Sequence, residues 1–320
     1  MKAKNCLIFG GTGQIGSNLL RKLAKHNFKV TVVTRNLHQK GNFIKTQANA
    51  GYIDIVEVNP FDQKKLLPLF KKADICINLI GILYEKGKNN FRNVHTNFPQ
   101  LIATLSKECK LDQLIHISAL GIDESKDSKY AMSKLEGENK IKGIFPNSTI
   151  LRPSVVYSVD DNFTTTFMTL LNRLPIFPLY YNGNTKFMPI HCSDLTDIIL
   201  KVVKDEIKSE LIECGGPEVL SFKDIIFVLL QLIQKKRLIL PVPLFFGTLI
   251  ARVMEMLPKP LLTTDQLKLL KFDNVYSSKY KTNANIGMPS KKIFKEEVQK
   301  YCYTWKEGGQ FSTDKYISEK

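Results

Sequence analysis

The sequence is poor in the features that mark disulfide scaffolds, zinc sites and membrane spans. Its six cysteines are scattered singly with no Cys-x-x-Cys pair, which predicts reduced thiols in a reducing compartment. None of its five histidines stands at a metal-ligand spacing and no His-Glu-x-x-His motif occurs, so we expect no metal site. The longest apolar stretch, residues 225–256, is broken by three basic residues from Lys235 and by Pro241 and Pro243. We therefore expect no membrane-spanning helix.

Acidic residues and arginine are also scarce. Lysine and arginine number 46 against 30 aspartates and glutamates, for a net charge of +16, and only seven of the 46 are arginines. Such a surplus fits either a solubilising lysine-rich surface or attraction to anionic membrane lipid, an acidic protein or a phosphorylated ligand. Because the lysines are dispersed and no nucleic-acid-binding module is visible, we expect no nucleic acid partner.

We expect no secretory signal at the amino terminus, since an apolar strand begins at about Ala3. We expect a cytoplasmic protein. The alternative is a peripheral position at the inner face of a bacterial inner membrane, or at the matrix side of the mitochondrial membrane for a eukaryotic chain. The early start of the fold and the lysine bias favour a bacterial origin.

The first half of the chain alternates short β-branched runs with amphipathic stretches. The first stretch carries Ile15, Leu19, Leu20 and Leu23 on one helical face. Several runs are apolar throughout, which is typical of strands covered by helices on both sides. The predicted strands span residues 6–9, 30–34, 53–58, 75–80, 114–118 and 149–151. This pattern predicts an α/β fold with a Rossmann-like, doubly wound parallel sheet.

The texture changes after Pro153, where helical segments are separated by proline-rich connectors. These segments span residues 163–172, 195–204 and 221–234. We predict an NAD(P)-binding Rossmann domain over residues 1–153 and a smaller, mainly helical C-terminal lobe over 154–307, interleaved with the edge of the sheet. The lobe would contact a substrate or a partner, and residues 308–320 form a polar tail.

A glycine-rich turn joins the first strand to the first helix. It reads Gly10, Gly11, Thr12, Gly13, Gln14, Ile15, Gly16. Its position between an apolar strand and an amphipathic helix is the context in which such glycines bind a dinucleotide. Gly10 and Gly13 would let the backbone approach a pyrophosphate, and Gly16 would let the helix pack closely on the sheet. The alternative is a structural turn that binds no ligand.

The end of the second strand bears on the choice of nucleotide. A NAD-preferring site usually places a carboxylate about 20 residues after the turn, but this sequence has Thr34, Arg35 and Asn36 there. A planar guanidinium at Arg35 is suited to pair with a 2′-phosphate and to stack on adenine. We therefore predict NADPH rather than NADH. The alternative is that Arg35 is a solvated charge.

Tyr130 and Lys134 lie four residues apart in a stretch predicted to be helical, on one face and one turn apart. An ammonium group near a phenol lowers the phenol's pKa and makes it usable in proton transfer. The lysine is also suited to hold a nicotinamide ribose. Ser118, at the end of the fifth strand, either orients a substrate oxygen or is an ordinary strand-end serine.

Together these residues resemble the extended and atypical short-chain dehydrogenase/reductase superfamily. Within it the sequence is similar to the nucleotide-binding accessory subunit of respiratory complex I and its bacterial relatives. The similar segments are N78-L-I-G-I-L, H116-I-S-A-L-G, I150-L-R-P-S-V-V, M188-P-I-H-C-S-D and L257-P-K-P-L-L-T-T-D-Q-L-K-L-L-K-F-D-N-V. The last segment has no chemistry of its own and distinguishes the subgroup. The resemblance spans about residues 4 to 285.

The resemblance implies a bound NADPH in a protein whose role is often structural, in complex I or in ubiquinone biosynthesis. It implies residue roles as well. The adenosine and phosphates would be held by Gly10, Gly13, Gly16 and Arg35, and the ribose would lie over Leu79, Ile80 and Gly81. The nicotinamide ribose would contact Tyr130 and Lys134. The carboxamide would be bordered by Pro153 to Val155.

One departure from the family pattern bears on catalysis. Active extended members usually end the fifth strand with two or three small hydroxyl residues, whereas here Ala119 follows Ser118. Two functions stay open: an NADPH-binding accessory or assembly protein, and an NADPH-dependent reductase of a quinone, isoprenoid or similar apolar carbonyl. No feature of the sequence supports a third function, that of a redox-sensing regulator. The apolar residues after Pro243 suit a greasy substrate, a membrane-arm partner or an ordinary helix core.

Overall fold

A computed structural model describes residues 3–37, 41, 44, 46–47 and 51–309. The chain divides into two compact units. The first unit comprises residues 1–153, 192–214 and 277–288, and the second comprises 154–191, 215–276 and 289–320. His38 and residues 310–320, which are most of the predicted polar tail, lie outside the described residues.

The described strands are short and belong to four sheets. In chain order they are β1 (Asn5–Phe9), β2 (Lys29–Thr34), β3 (Ile53–Glu57), β4 (Ile75–Asn78), β5 (Gln113–Ile117), β6 (Ser148–Pro153), β7 (Val156–Tyr157), β8 (Ile176–Leu179), β9 (Lys186–Phe187), β10 (Ile190–His191), β11 (Leu211–Cys214), β12 (Leu220–Ser221), β13 (Leu238–Pro241) and β14 (Lys281–Thr282).

The described helices are α1 (Gln14–Lys25), α2 (Gln63–Phe70), α3 (Phe98–Glu108), α4 (Lys129–Ile144), α5 (Thr164–Arg173), α6 (Cys192–Val203), α7 (Phe222–Leu232), α8 (Leu244–Met254), α9 (Thr264–Leu269) and α10 (Phe294–Gln299). A π-helical turn, Arg92–Asn97, precedes α3, and two 3₁₀ turns span Tyr180–Gly183 and Cys302–Trp305. No helix in the described part of the chain is both long and apolar enough to cross a bilayer.

The first unit is built on an eight-stranded sheet in the order β14-β11-β6-β5-β4-β1-β2-β3, with every pair parallel. Leu7 and Phe9 pack in a cluster with Phe70 of α2 and Phe98 of α3, while the alternate β1 residue Ile8 is also fully buried. The sheet is therefore covered on both faces, as its apolar strands require. The predicted α/β class with a Rossmann-like parallel sheet is confirmed.

Two details of the sheet differ from the sequence analysis. The fourth strand ends at Asn78 instead of residue 80, because the Asn78 Oδ1 accepts a hydrogen bond from the Ile80 N–H and turns the chain out of the sheet. The sheet also gains β11 and β14 from segments after Pro153. Helix α6 belongs to the first unit too, so the chain crosses between units more often than a single boundary at Pro153 implies.

The second unit is mainly helical with three two-stranded pairs, β7–β10, β8–β13 and β9–β12. Its core is rich in aromatic side chains, with Phe167, Phe177, Phe187 and Phe222 in mutual ring contacts around 5.3 to 6.5 Å. Helix α7 begins with a capping box in which Ser221 and Asp224 satisfy each other's backbone N–H groups. This capping fixes the start of the most apolar helix of the core.

Candidate functional site

The glycine turn brings β1 close to the chain that follows β4. Gly10 has a φ of +81°, and a Cβ there would lie 3.0 Å from the carbonyl carbon of Leu79. The Gly13 N–H donates to the Gly10 carbonyl oxygen at 3.1 Å and closes the turn. At Gly16 a Cβ would lie 2.5 Å from the backbone of Gly11, so the helix start and the turn touch main chain to main chain. Gly10 therefore requires glycine for its conformation and for its close approach to Leu79, and Gly16 requires glycine for space.

The N-terminus of α1 is open to an anion. Gly13 is the N-cap residue, no side chain of the described residues caps the helix, and its first turn has no acidic residue. Thr12, Gln14 and Ile15 are partly buried at this end of the turn. Helix N-terminal N–H groups and the helix dipole favour negative charge, so this end is suited to a pyrophosphate.

Arg35 follows β2 and is exposed. Its Nη1 donates to the Asn89 Oδ1 at 3.0 Å, which holds the guanidinium over the loop after β4. Glu57 of β3 pairs with Thr34, the last residue of β2, and carries a carboxylate close to this strand end. The Glu57 Oε2 accepts from the Leu37 N–H at 3.0 Å and is occupied by the backbone. The end of β2 thus presents a guanidinium, whereas its neighbouring carboxylate is engaged.

The segment Leu79, Ile80 and Gly81 leaves β4 as a turn fixed at both ends. The Leu79 N–H donates to the Phe9 carbonyl oxygen at 2.9 Å. A Cβ on Gly81 would lie 3.4 Å from the Lys134 Nζ and 3.9 Å from the His95 Nε2. The structure therefore brings Gly81 together with Lys134, and Gly10 together with Leu79. These contacts place the two predicted cofactor-binding segments and the lysine around one region of the first unit.

A histidine that the sequence analysis did not single out links this turn to α4 through hydrogen bonds. The His95 Nε2 accepts from the Ile82 N–H at 3.1 Å, so the Nδ1 carries the proton and donates to the Ser133 Oγ at 3.0 Å. The Ser133 hydroxyl donates in turn to the Tyr130 carbonyl oxygen at 2.7 Å. Burial lowers the pKa of His95 to about 2, and the positive charge of Lys134 is the second largest cause. The ring is neutral at physiological pH and works as a structural clamp.

Tyr130 and Lys134 share one face of α4, as predicted. The Lys134 Nζ lies 5.9 Å from the centre of the Tyr130 ring and donates to the Ile117 carbonyl oxygen at 3.1 Å. Burial lowers the pKa of Lys134 to about 8, opposed by the nearby Glu138 carboxylate. The Tyr130 ring packs edge-to-face on His95 at 5.2 Å. Both side chains are positioned by the protein itself.

Two polar atoms at the end of β5 are buried without a partner. The Ser118 hydroxyl has no hydrogen-bond partner among the described residues, although its N–H donates to the Leu151 carbonyl oxygen at 2.8 Å. His116, two residues earlier, receives the Asn78 Nδ2 on its Nδ1 at 3.0 Å, and its Nε2 has no partner in the described part of the chain. Unpartnered buried groups are costly, so Ser118 fits a site completed by a ligand.

Pro153 and Val155 lie on either side of the division between the units. The Pro153 carbonyl oxygen accepts from the Leu120 N–H at 2.9 Å in the first unit. The Val155 carbonyl oxygen accepts from the Ile190 N–H at 2.9 Å in the second unit. Their predicted roles beside a carboxamide stay predictions.

A buried ion network anchors α4 to β6. Arg152 is 1% exposed, and its guanidinium donates to both carboxylate oxygens of Glu138 at 2.9 and 2.7 Å. It also reaches Asp123 at 2.6 and 3.2 Å and lies 4.8 Å from the centre of the Tyr280 ring. A charged residue inside the apolar run of β6 was the signal in the sequence. The network fixes the helix that carries Tyr130 and Lys134.

The described residues of the site are suited to a dinucleotide. The glycine turn, the uncapped start of α1 and the unpartnered Ser118 hydroxyl fit such a nucleotide. Residues 3–37, 41, 44, 46–47 and 51–309 contain no cluster of three His, Cys, Asp or Glu side chains placed to hold a metal ion. All six cysteines are free thiols.

Comparison with known proteins finds subunits of respiratory complex I and a lipid reductase among the relatives. The chain is 26% identical over 282 residues to a mitochondrial NADH dehydrogenase (ubiquinone) 1 alpha subcomplex subunit 9 of Arabidopsis thaliana, covering 84% of this chain and 70% of the relative. It is 25% identical over 284 residues to the NADH-ubiquinone oxidoreductase 40 kDa subunit of Neurospora crassa, covering 88% and 74%. A ceramide reductase of Caulobacter vibrioides matches at 25% identity over 189 residues, covering 58% of this chain and 57% of that one.

Solved structures show the same fold at low identity. A dTDP-glucose 4,6-dehydratase from Streptomyces venezuelae, solved with NAD and TYD bound, superposes with a TM-score of 0.73 at 16% identity, covering 95% of this chain and 99% of the other. Residues 6–215 match the NAD dependent epimerase/dehydratase family, whose fold is the nicotinamide dinucleotide-binding fold described above. This match covers well over half of the chain, so the chain belongs to the NAD dependent epimerase/dehydratase family.

Proposed function

We propose that the protein is an NADPH-binding accessory subunit or assembly factor of respiratory complex I, in which the nucleotide stabilises the fold. The similarity to NADH-ubiquinone oxidoreductase subunits extends over 84% and 88% of the chain and supports a partner of that kind. A role in a ubiquinone-biosynthesis assembly is the second form of this proposal. A ligand present at a hundred times its dissociation constant stabilises a fold by about 2.7 kcal/mol, which is reason enough to keep a site without turnover.

One observation carries the proposal: the glycine turn suited to the nucleotide is present, while Tyr130 and Lys134 are held by the protein. Lys134 donates to the Ile117 carbonyl oxygen, and the Tyr130 ring is packed against His95. Ser118 is followed by alanine, so the end of β5 lacks a second hydroxyl residue. Turnover by a short-chain reductase relies on a hydroxyl that orients the substrate beside the tyrosine. Nucleotide binding needs only the glycine turn and the start of α1.

The alternative function is an NADPH-dependent reductase of an apolar carbonyl compound. The observation in its favour is the similarity to a ceramide reductase, whose name describes reduction of a lipid. Tyr130 would then deliver the proton, and Lys134 would favour its ionised form. NADPH would supply the hydride in that reaction.

Turnover separates these two functions. We expect the purified protein to carry NADPH and not to oxidise it when quinone or ceramide-like carbonyl substrates are added, measured as absorbance of the reduced nicotinamide. We expect Tyr130→Phe to keep its affinity for NADPH within threefold, because the phenyl ring that remains can make the same edge-to-face contact with His95. Substrate-dependent oxidation that disappears in Tyr130→Phe would establish the reductase instead. Affinity capture should recover complex I subunits with the accessory protein.

We propose that Arg35 selects NADPH. Replacing Arg35 by alanine should weaken NADPH binding by about tenfold to a hundredfold, since charge-assisted hydrogen bonds contribute about 1.5 to 3 kcal/mol. Affinity for NADH should stay within twofold. The matched control is Arg21→Ala, which removes the same charge from an exposed position on α1. Isothermal titration with both nucleotides measures these values, and a wild-type protein that prefers NADH tenfold would overturn the assignment.

The division of labour within the chain and its location are part of the same proposal. We propose that residues 1–153 form the nucleotide-binding domain and that residues 154–307 contact the partner. We also propose a peripheral position at the inner face of the membrane that holds complex I. The basic net charge of +16 is consistent with this position, because cytoplasmic membrane leaflets are anionic.

A further inference from the structure

Helix α8 (Leu244–Met254) is held against the second unit by one narrow face. Its two buried residues, Gly247 and Ala251, are one turn apart. The absence of a Cβ at Gly247 lets the Tyr180 ring pack directly on the helix backbone, and Ala251 packs with Tyr180 and Leu267. This attachment uses only the smallest side chains of the helix.

The other faces of α8 and the chain that follows it carry large apolar side chains into solvent. Phe245 is 75% exposed and Met256 is 85% exposed, and the Phe245 and Phe246 rings contact each other edge to face at 5.6 Å. The remaining exposed apolar residues are Leu244, Phe246, Leu249, Ile250, Val253, Leu257 and Leu261. We name residues 244–261 with these side chains the apolar patch. Exposed apolar groups in such number mark an interaction surface rather than ordinary scatter.

Basic residues lie within the apolar patch and on both sides of it in sequence. Between residues 235 and 272 the chain has seven lysines and arginines against two carboxylates. The exposed basic residues of this stretch are Lys236, Arg252, Lys259, Lys268 and Lys271. One of the two carboxylates, Glu255, accepts hydrogen bonds from the Thr264 N–H and hydroxyl at 2.6 and 2.8 Å. This stretch of the chain therefore carries a positive net charge.

Apart from Arg252, the only polar side chain of α8 is that of Thr248, so the helix offers few hydrogen bonds to a protein partner. Protein interfaces combine apolar contacts with about one hydrogen bond per 100 to 200 Å². The one hydroxyl of α8, at Thr248, already donates to the Leu244 carbonyl oxygen at 2.9 Å. Phenylalanine and leucine on one side with lysine and arginine beside them are typical of helices that lie in a membrane interface. Eleven residues extend only about 16 Å, which is too short to cross a bilayer.

We propose that the apolar patch docks the protein onto an anionic lipid bilayer, with α8 lying in the interface plane. Phe245, Phe246 and Leu249 enter the boundary between headgroups and acyl chains, while Arg252 and Lys259 contact lipid phosphates. This proposal rests on the peripheral membrane position proposed above and is independent of the nucleotide site. A variant that binds no nucleotide should still bind vesicles.

The test is cosedimentation of the full-length protein with vesicles of phosphatidylcholine and phosphatidylglycerol, compared with vesicles of phosphatidylcholine alone. We expect wild-type protein to bind the anionic vesicles at least tenfold more tightly, with weaker binding as salt rises. The double substitution Phe245→Ser/Phe246→Ser should reduce binding to anionic vesicles at least tenfold. The double substitution Arg252→Gln/Lys259→Gln should remove most of the preference for anionic lipid.

The matched control is Phe227→Ser, which replaces a half-exposed phenylalanine of α7 in the same unit, outside the patch. It should bind vesicles as wild type does. All substituted side chains are exposed, so thermal unfolding should change little and confirm that the variants fold. Equal vesicle binding by Phe245→Ser/Phe246→Ser and wild type would overturn the proposal. Concentration-dependent dimers that this variant loses, without any vesicle binding, would overturn it in favour of a second copy covering the patch.

Discussion

Replacing Arg152 by methionine should lower the free energy of unfolding by about 3 to 5 kcal/mol, because it leaves a buried charge without its partner. The side chain of Glu138 is 4% exposed and receives two hydrogen bonds from this guanidinium. Methionine is similar in length and keeps much of the packing. The loss of stability therefore measures the cost of leaving the Glu138 carboxylate buried and unpaired. Burial opposes the charged form of Arg152, yet Glu138 and Asp123 together raise its pKa above the usual range.

The double substitution Arg152→Met/Glu138→Met separates the cost of an orphaned carboxylate from the value of the ion pair. We expect it to recover most of the stability that Arg152→Met loses, because replacing both members of a buried pair by apolar groups is often close to neutral. Chemical unfolding in urea measures all variants. The control Arg173→Met, at an exposed position on α5, should change stability by less than about 0.5 kcal/mol. A loss of 1 kcal/mol or less in Arg152→Met would contradict the expected role.

The elements that sequence analysis predicted well are those whose signal is local. The β1 strand, the glycine turn and α1 follow one another within residues 5–25, and each has its own pattern: an apolar run, required glycines and a 3.6-residue period. Tyr130 and Lys134 also needed only the helical spacing. By contrast β14 has two residues, and β11 and β14 join the sheet through pairing alone. No periodicity marks a strand of that length.

The missed parts of the site depend on contacts between distant residues. His95 lies 13 residues from Ile82 and 38 from Ser133, so its clamp exists only once three segments are packed together. Polar residues inside apolar runs, at Asn78, His116 and Arg152, were a usable signal that a buried hydrogen-bond network is present. The sequence did not tell which partners they find. Nor did it tell that the apolar residues after Pro243 stay exposed, since a core helix has the same composition.

Replacing Gly137 by alanine should destabilise the protein by about 1 to 3 kcal/mol, although alanine is the better helix former. A Cβ at Gly137 would overlap the His95 carbonyl oxygen, and backbone cannot move aside as a flexible side chain does. The π-helical turn and α4 must separate to make room. Because α4 carries Ser133 and Lys134 one turn earlier, we also expect weaker NADPH binding.

The matched control lies on the same helix. Gly143 is exposed in the last turn of α4, and a Cβ there would meet no described atom within 4 Å. Gly143→Ala should therefore raise the free energy of unfolding by up to about 1 kcal/mol through helix propensity alone. Opposite signs for the two substitutions, measured by urea unfolding, follow only if α4 touches the His95 backbone. Equal signs would mean that α4 has room at Gly137, and the clamp that holds Tyr130 and Lys134 would then need another explanation.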